Sequence, residues 1–316
     1  MSTLLIPVTL PSAREDAKQL HAAFKGLGCD QTAIINILAH RDSAQLESIQ
    51  QEYESKFSHE LKKRLASELH GHFKKLAVLW VEDPVSRDAL MLKEALKGTI
   101  STDHKGSTDI ICSRTPSQLR QLKQAYYSIF QIQLMQDIEK EAHGDHKKLL
   151  LAFVNTTRYE GPEIQTKMIE DDCKAINTAG ETKSAAEKVF IPIFTDRSRA
   201  HLAALISAYK NMFGKPLEKA IRKETSGNFE YSLLVILRCA DNSSMYFAKV
   251  LRKAMRGLGT DDSTLIWIVA TRTELDMHHI KVEYKKKYGK TLNDAIHSET
   301  SGHYRTFLLS LIGPNY

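Results

Sequence analysis

Apolar residues recur three and four positions apart along nearly the whole chain, the spacing of helices that bury one face. Ile34, Ile35 and Leu38 share a face of one short helix, Leu46, Ile49 and Tyr53 mark a second, and Leu61, Leu65 and Leu69 a third. Residues suited to helix starts stand between these runs: Ser43 and Ser58 early, and Thr115 followed by Pro116 later. Strand alternation and Asn-Gly hairpin turns are absent. The expected fold class is therefore all-α.

The helical pattern is periodic. Arg41, Arg114, Arg197 and Arg272 are each followed twelve residues later by a tyrosine (Tyr53, Tyr126, Tyr209, Tyr284) and thirty residues later by a glycine (Gly71, Gly144, Gly227, Gly302). Four residues past each tyrosine stands a further aromatic: Phe57, Phe130, Phe213 and Tyr288. Periods of 73, 83 and 75 residues govern all these landmarks, so four copies of one unit are expected. With a lead-in helix and a closing helix such as residues 73–81, each unit holds about five helices and the chain about twenty. The expected divisions are a short tail at 1–12 and repeats at 13–82, 83–154, 167–240 and 241–316. Residues 155–166, with Gly161-Pro162, read as a linker between two halves.

Composition narrows the class further. A 316-residue chain with 42% hydrophobic and 26% charged residues is long enough for a sizeable core. Lys and Arg outnumber Asp and Glu by 44 to 38, a mild excess that favours anionic surfaces such as acidic lipid without calling for nucleic acid. Four cysteines lie far apart with no Cys-x-x-Cys, which argues against zinc and a disulfide framework. Residues 1–12 have neither the basic nor the apolar region of a secretory signal, and no stretch approaches a membrane span, so a soluble cytoplasmic protein is expected.

Two loops carry candidate chemistry. Met255-Arg256-Gly257-Leu258-Gly259-Thr260-Asp261 is a Gly-x-Gly turn, with Glu299 forty residues beyond its second glycine. Phe24-Lys25-Gly26-Leu27-Gly28-Cys29-Asp30 has the same shape, and forty residues past Gly28 stands Glu68. Glycine accepts positive φ, so such a turn can aim successive carbonyls to one side. Calcium takes six to eight oxygens from carboxylates, carbonyls and water. The carbonyls of Met255, Gly257 and Gly259 with both oxygens of Glu299 supply five, and Phe24, Gly26, Gly28 and Glu68 make the same set. Positions left over are open to water or lipid phosphate. The EF-hand pattern is absent. Leu27 and Leu258, central in the two turns, are placed to dip into a lipid interface.

Four such units, with Lys25-Gly26-Leu27-Gly28 and Arg256-Gly257-Leu258-Gly259-Thr260-Asp261 each paired with an acid forty residues on, resemble the annexin family over residues 13–312. The short tail and the usable loops in units one and four are similar to plant annexins. The resemblance implies a slightly curved disc of four repeats that binds acidic phospholipids through Ca2+ on its convex face. It implies a peripheral protein that moves from cytoplasm to membrane when calcium rises, in trafficking, stress or calcium signalling, and leaves protein partners such as actin open. Departures are visible. Cys29 stands where the family has threonine, with loss of a helix-capping hydroxyl expected. Unit two reads Lys97-Gly98-Thr99-Ile100-Ser101-Thr102 with one glycine, and unit three, at 180–186, has lost its turn glycines; Glu141 and Glu224 persist there as weak sites at best.

Competing signals point elsewhere. A histidine near His40 has been discussed as a haem ligand for peroxidase activity in plant annexins, but His40 fills a polar slot shared with Ser113, Asp196 and Thr271, which suits helix-end hydrogen bonding. Gly289-Lys290-Thr291 resembles the end of a Walker loop, yet Gly214-Lys215-Pro216 marks the same place as a repeated corner. Plant annexins often carry cysteine at Cys112 and Cys239, where a redox role has been proposed; the apolar run around Cys112 favours an inert thiol, leaving Cys29 the more exposed. No enzyme is expected. The alternatives to membrane binding are a calcium-independent helical-repeat scaffold for protein partners, or a peroxidase-like activity.

Overall fold

The computed structural model describes residues 1–26, 28–97, 105–182, 186–257 and 259–315, and their side chains except at 180–182. Leu27, Leu258, the unit-two turn at 98–102 and residues 183–185 of the unit-three turn lie outside the described residues. Among those described, every regular element is a helix. The first five are α1 (Ala13–Ala23), α2 (Gln31–Leu38), α3 (Ser43–Phe57), α4 (Leu61–Glu68) and α5 (Gly71–Trp80). The next five are α6 (Pro84–Leu96), α7 (Lys105–Cys112), α8 (Pro116–Phe130), α9 (Leu134–Glu141) and α10 (Gly144–Asn155). Then come α11 (Thr166–Thr182), α12 (Ala186–Asp196), α13 (Arg199–Phe213), α14 (Leu217–Glu224) and α15 (Gly227–Ala254). The chain ends with α16 (Asp262–Arg272), α17 (Met277–Tyr288), α18 (Leu292–Glu299) and α19 (Gly302–Ile312). α15 is two helices joined at Asn242, whose backbone is extended (φ −154°, ψ 97°) and whose side chain accepts the Met245 N–H at 2.9 Å as a cap would. The rhythm is thus five helices per repeat.

Local chemistry accounts for the helix boundaries, with two changes from expectation. Thr115 caps α8 in a reciprocal box with Gln118, and Pro116 opens the helix. The cap of α3, however, is Asp42 in a box with Gln45, and Ser43 is the first helical residue. Ser58 does not start a helix: it ends α3 in the left-handed region at φ 56°. Gln131 (φ 54°), Gly214 (φ 67°) and Gly289 (φ 68°) end α8, α13 and α17 in the same register. That slot needs a left-handed residue, which glycine adopts without strain. Gly289-Lys290-Thr291 is therefore such a corner, with Thr291 capping α18.

The landmark arginines are internal staples. Arg41 grips Asp16 with two hydrogen bonds of 2.7 and 2.9 Å, Arg114 grips Asp88, and Arg197 grips Asp172, which also receives His201 at 2.8 Å. Burial pushes the Asp172 carboxyl up, but these donors outweigh it and hold it below its usual range. Repeat four breaks the rule. Position 247, where the acid would fall, is Phe247; Arg272 lies 4.5 Å over its ring and takes its carboxylate from Asp276. The landmark tyrosines are buried beneath, and each pairs with the aromatic four residues on at 4.9 to 5.1 Å between ring centres.

The helices fall into two compact units, Met1–Arg87 with Phe247–Tyr316, and Asp88–Tyr246. Residues 156–165 join α10 to α11 within the second of these units. In the first unit α5 packs on α16 and α19, with Phe73 edge-on to Phe307 at 5.6 Å. Arg87 lies 4.2 Å over the Trp80 ring and binds Glu274 and the Ala270 carbonyl, and Glu274 also receives the Ser43 N–H. Residues 1–12 form no helix, yet they are docked on this unit: Thr3 is buried and bonds the carbonyls of Thr273 (3.0 Å) and Leu311 (3.1 Å). In the second unit the buried Asp109 ties α7 to α15, accepting the hydroxyls of Tyr231 (2.7 Å) and Tyr246 (2.5 Å).

Candidate calcium loops

The two Gly-x-Gly loops have one construction. Phe24 is the C-cap of α1, and the kinked α15 leads into Met255; both residues are 3% exposed and anchor their loops in the core. Beyond them the backbone runs through glycines at φ 109° and 88° (Gly26, Gly28) and 123° and 91° (Gly257, Gly259). The Asp30 N–H closes the first loop on the Ala23 carbonyl, and the Asp261 N–H closes the second on Ala254, each at 2.8 Å. The aspartates then cap α2 and α16 through Ala33 (2.9 Å) and Thr264 (3.1 Å).

Cβ atoms added at Gly28 or Gly259 would meet nothing within 4 Å, so backbone conformation alone demands glycine there. Gly259→Ala is expected to leave the circular dichroism unchanged while straining the turn by about 1–3 kcal/mol. The calcium needed for half-maximal vesicle binding should rise roughly tenfold, read by titrated cosedimentation.

The acids come to the loops by a shared route. Glu68, Glu141, Glu224 and Glu299 are the last residues of α4, α9, α14 and α18. At that end the helix dipole is negative, so a carboxylate there favours a nearby cation. In repeat four the Thr260 hydroxyl donates to the Glu299 carbonyl at 3.3 Å, and in repeat one the Cys29 thiol lies 3.7 Å from the Glu68 carbonyl. The Cys29 slot thus ties the loop to its acid, a correction to the expected helix cap, which Asp30 supplies. Burial and the Glu68 charge push the Cys29 thiol up, away from the reactive thiolate. Cys112 is buried, and its thiol is pushed well up by desolvation.

From the described residues, the carbonyls of Gly26, Gly28, Met255, Gly257 and Gly259 accept no hydrogen bond. The described residues contain no cluster of three His, Cys, Asp or Glu side chains suited to a metal. The first loop thus offers two such carbonyls and the second three, each set beside one carboxylate, a hard-oxygen environment that fits calcium and would suit zinc poorly. The carboxylates differ in company. Glu68 pairs with Arg64 at 3.0 Å, Glu141 with Lys140 at 3.5 Å and Glu224 with Lys223 at 3.2 Å. Glu299 is exposed and makes no ion pair among the described residues. Arg64 escaped the sequence argument; its i, i+4 spacing to Glu68 was the available signal.

His40 donates from Nδ1 to the Leu5 carbonyl at 2.8 Å, so its hydrogen bond holds the N-terminal segment rather than a helix end. The Annexin family model matches residues 15–80, 87–153, 171–236 and 246–311. The chain belongs to the annexin family. It is 58% identical to Annexin D5 of Arabidopsis thaliana over 316 residues, the whole of both chains. It is 37% identical to human Annexin A13 over 94% of each. Among solved structures it matches annexin III with a TM-score of 0.95 at 34% identity, covering 100% of this chain and 98% of that one. It matches chicken annexin V with a TM-score of 0.91 at 35% identity and 99% coverage of both. A calcium-bound annexin (Sm)1 matches at 0.85 and 30% identity, covering 100% of this chain and 94% of that one. This is accordingly a plant-type annexin with four all-α repeats. Calcium-dependent phospholipid binding is the property of its family, whose members are generally membrane binders rather than enzymes. Among the described residues no helix is long and apolar enough to cross a membrane.

Proposed function

We propose that this annexin docks reversibly on acidic phospholipid surfaces through calcium held in the loops of repeats one and four. The observation that carries this is the doubling of one loop geometry, closed by the same 2.8 Å bond and tied to the end of the acid-bearing helix each time. The carbonyls of Phe24, Gly26 and Gly28 with Glu68, and of Met255, Gly257 and Gly259 with Glu299, would hold the ions. Calcium supplies the bridge to lipid phosphate, and the formal charge of +6 adds a general attraction to anionic membranes. Recruitment from cytoplasm to membrane on a calcium rise suits a role in calcium signalling, trafficking or stress responses.

Cosedimentation with vesicles of phosphatidylserine and phosphatidylcholine, in calcium and in chelator, tests the proposal. Pelleting in calcium should survive high salt, which screens only the general attraction. Equal pelleting in chelator would favour the calcium-independent scaffold instead. Leu27 and Leu258 are proposed to enter the interface, where each side chain could contribute up to about 1.5–3 kcal/mol. Replacing both with Ser should weaken pelleting at saturating calcium without changing the circular dichroism; normal pelleting would leave the carbonyls as the sole contact.

A further inference from the structure

We propose that Arg64 is an internal competitor for the calcium site of repeat one, so that repeat four loads at lower calcium and repeat one only as calcium rises further. The inference rests on reading these loops as calcium sites. Its starting point is a single nitrogen. Arg64 Nη2 lies 3.3 Å from the Phe24 carbonyl oxygen and 3.0 Å from Glu68 Oε1. These are two of the oxygens assigned to the ion, one from the loop and one from the end of α4.

A calcium ion bonded to both at about 2.3–2.6 Å would need the space between them. The guanidinium fills that space with positive charge, and the two cations cannot share it. Calcium entry therefore breaks the Arg64–Glu68 pair and the bond to Phe24. The displaced side chain has somewhere to go, since it is 39% exposed at the surface of α4. In the closed arrangement its guanidinium rests 5.7 Å from the centre of the Phe24 ring.

No other repeat has a cation in the slot of Arg64. The slot of Arg64 is taken by Asp137, Ala220 and Ala295 in repeats two, three and four. Ala295 brings no charge to the repeat-four loop, and Glu299 stays exposed and without an ion pair among the described residues. Repeat four has a cation of its own nearby, Arg252, but it lies 5.5 Å over the Tyr288 ring and makes no ion pair with Glu299 among the described residues, so only repeat one must release a cation from its carboxylate before it accepts one.

Calorimetric titration of the full chain with calcium alone, without lipid, reads the two loops as separate binding classes. Wild type should show a tighter class abolished by Glu299→Gln and a weaker class abolished by Glu68→Gln. Arg64→Ala and Arg64→Gln should each tighten the weaker class roughly tenfold, whereas Arg64→Lys, which keeps the charge, should stay within about threefold of wild type. Circular dichroism should show the same helix content throughout. If Glu68→Gln leaves both classes intact, the calcium assignment of the loop itself fails. If Glu68→Gln removes the weaker class but both neutral variants leave it unchanged or weaker, calcium still binds there and Arg64 is a positioning residue, not a competitor. Tightening by lysine equal to that by glutamine would likewise overturn competition by charge.

Discussion

Glu68→Gln combined with Glu299→Gln is expected to reduce vesicle pelleting in calcium to the level seen in chelator. Each carboxylate is the one anionic ligand proposed for its loop, Asp30 and Asp261 being engaged as helix caps, and calcium affinity follows ligand charge. Glutamine keeps the shape, so the helix ends and the loop closures at Ala23–Asp30 and Ala254–Asp261 should persist. Each single change should raise the calcium requirement by roughly 10- to 100-fold, with Glu299→Gln felt first if its loop loads at lower calcium. Glu141→Gln and Glu224→Gln serve as controls. Their carboxylates are paired with Lys140 and Lys223, and their loops lack the double-glycine turn. Cosedimentation across a calcium series reads all of these, and a double variant that still pellets at the wild-type calcium level would remove both loops from the mechanism.

The largest stability effect is expected from Asp16→Ala. Arg41 and Asp16 have side chains only 6% and 2% exposed, and their double hydrogen bond joins the start of α1 to the segment between α2 and α3. Removing the carboxylate leaves a guanidinium buried with only the His40 carbonyl beside it. Breaking such a pair costs about 3–5 kcal/mol, because a charge stays desolvated without its partner. Urea denaturation followed by circular dichroism should show that loss. The companion Asp16→Ala/Arg41→Met removes both charges and should recover much of it. A single variant no less stable than one lacking an exposed pair, about 0–1 kcal/mol, would show that the staple does not hold the repeat together.

The repeat itself was legible because its signals are local and are made four times. Apolar spacing selects helices, Thr115-Pro116 starts one, and a glycine pair forty residues ahead of a glutamate marks a turn beside a helix end. The left-handed corner was legible in Gly214 and Gly289 but not in Ser58 and Gln131, whose backbone is set by the helices on either side rather than by their own preference. Likewise Asp42 lost its cap role to the neighbouring Ser43 in the sequence argument, since both residue types favour that position and only the backbone bonds distinguish them.

What tertiary structure alone decided are the contacts between distant segments. Nothing periodic foretold that Arg272 would abandon the acid slot at Phe247 and pair with Asp276 four residues on. Nor did the irregular residues 1–12, with no helical period, announce a buried Thr3 held between Thr273 and Leu311. The grouping of the first and fourth repeats in one compact unit, with both intact loops, depends on Arg87, Glu274 and the packing of α5 on α16 and α19. Arg64 shows the physical reason most directly. Its pairing with Glu68 is a matter of helix spacing and lies in the sequence, but its bond to the Phe24 carbonyl, forty residues away, exists only once α4 is laid beside the end of α1. Helices, turns and ligand types follow from short-range preference, whereas which cation meets which oxygen is set by the packing that brings them together.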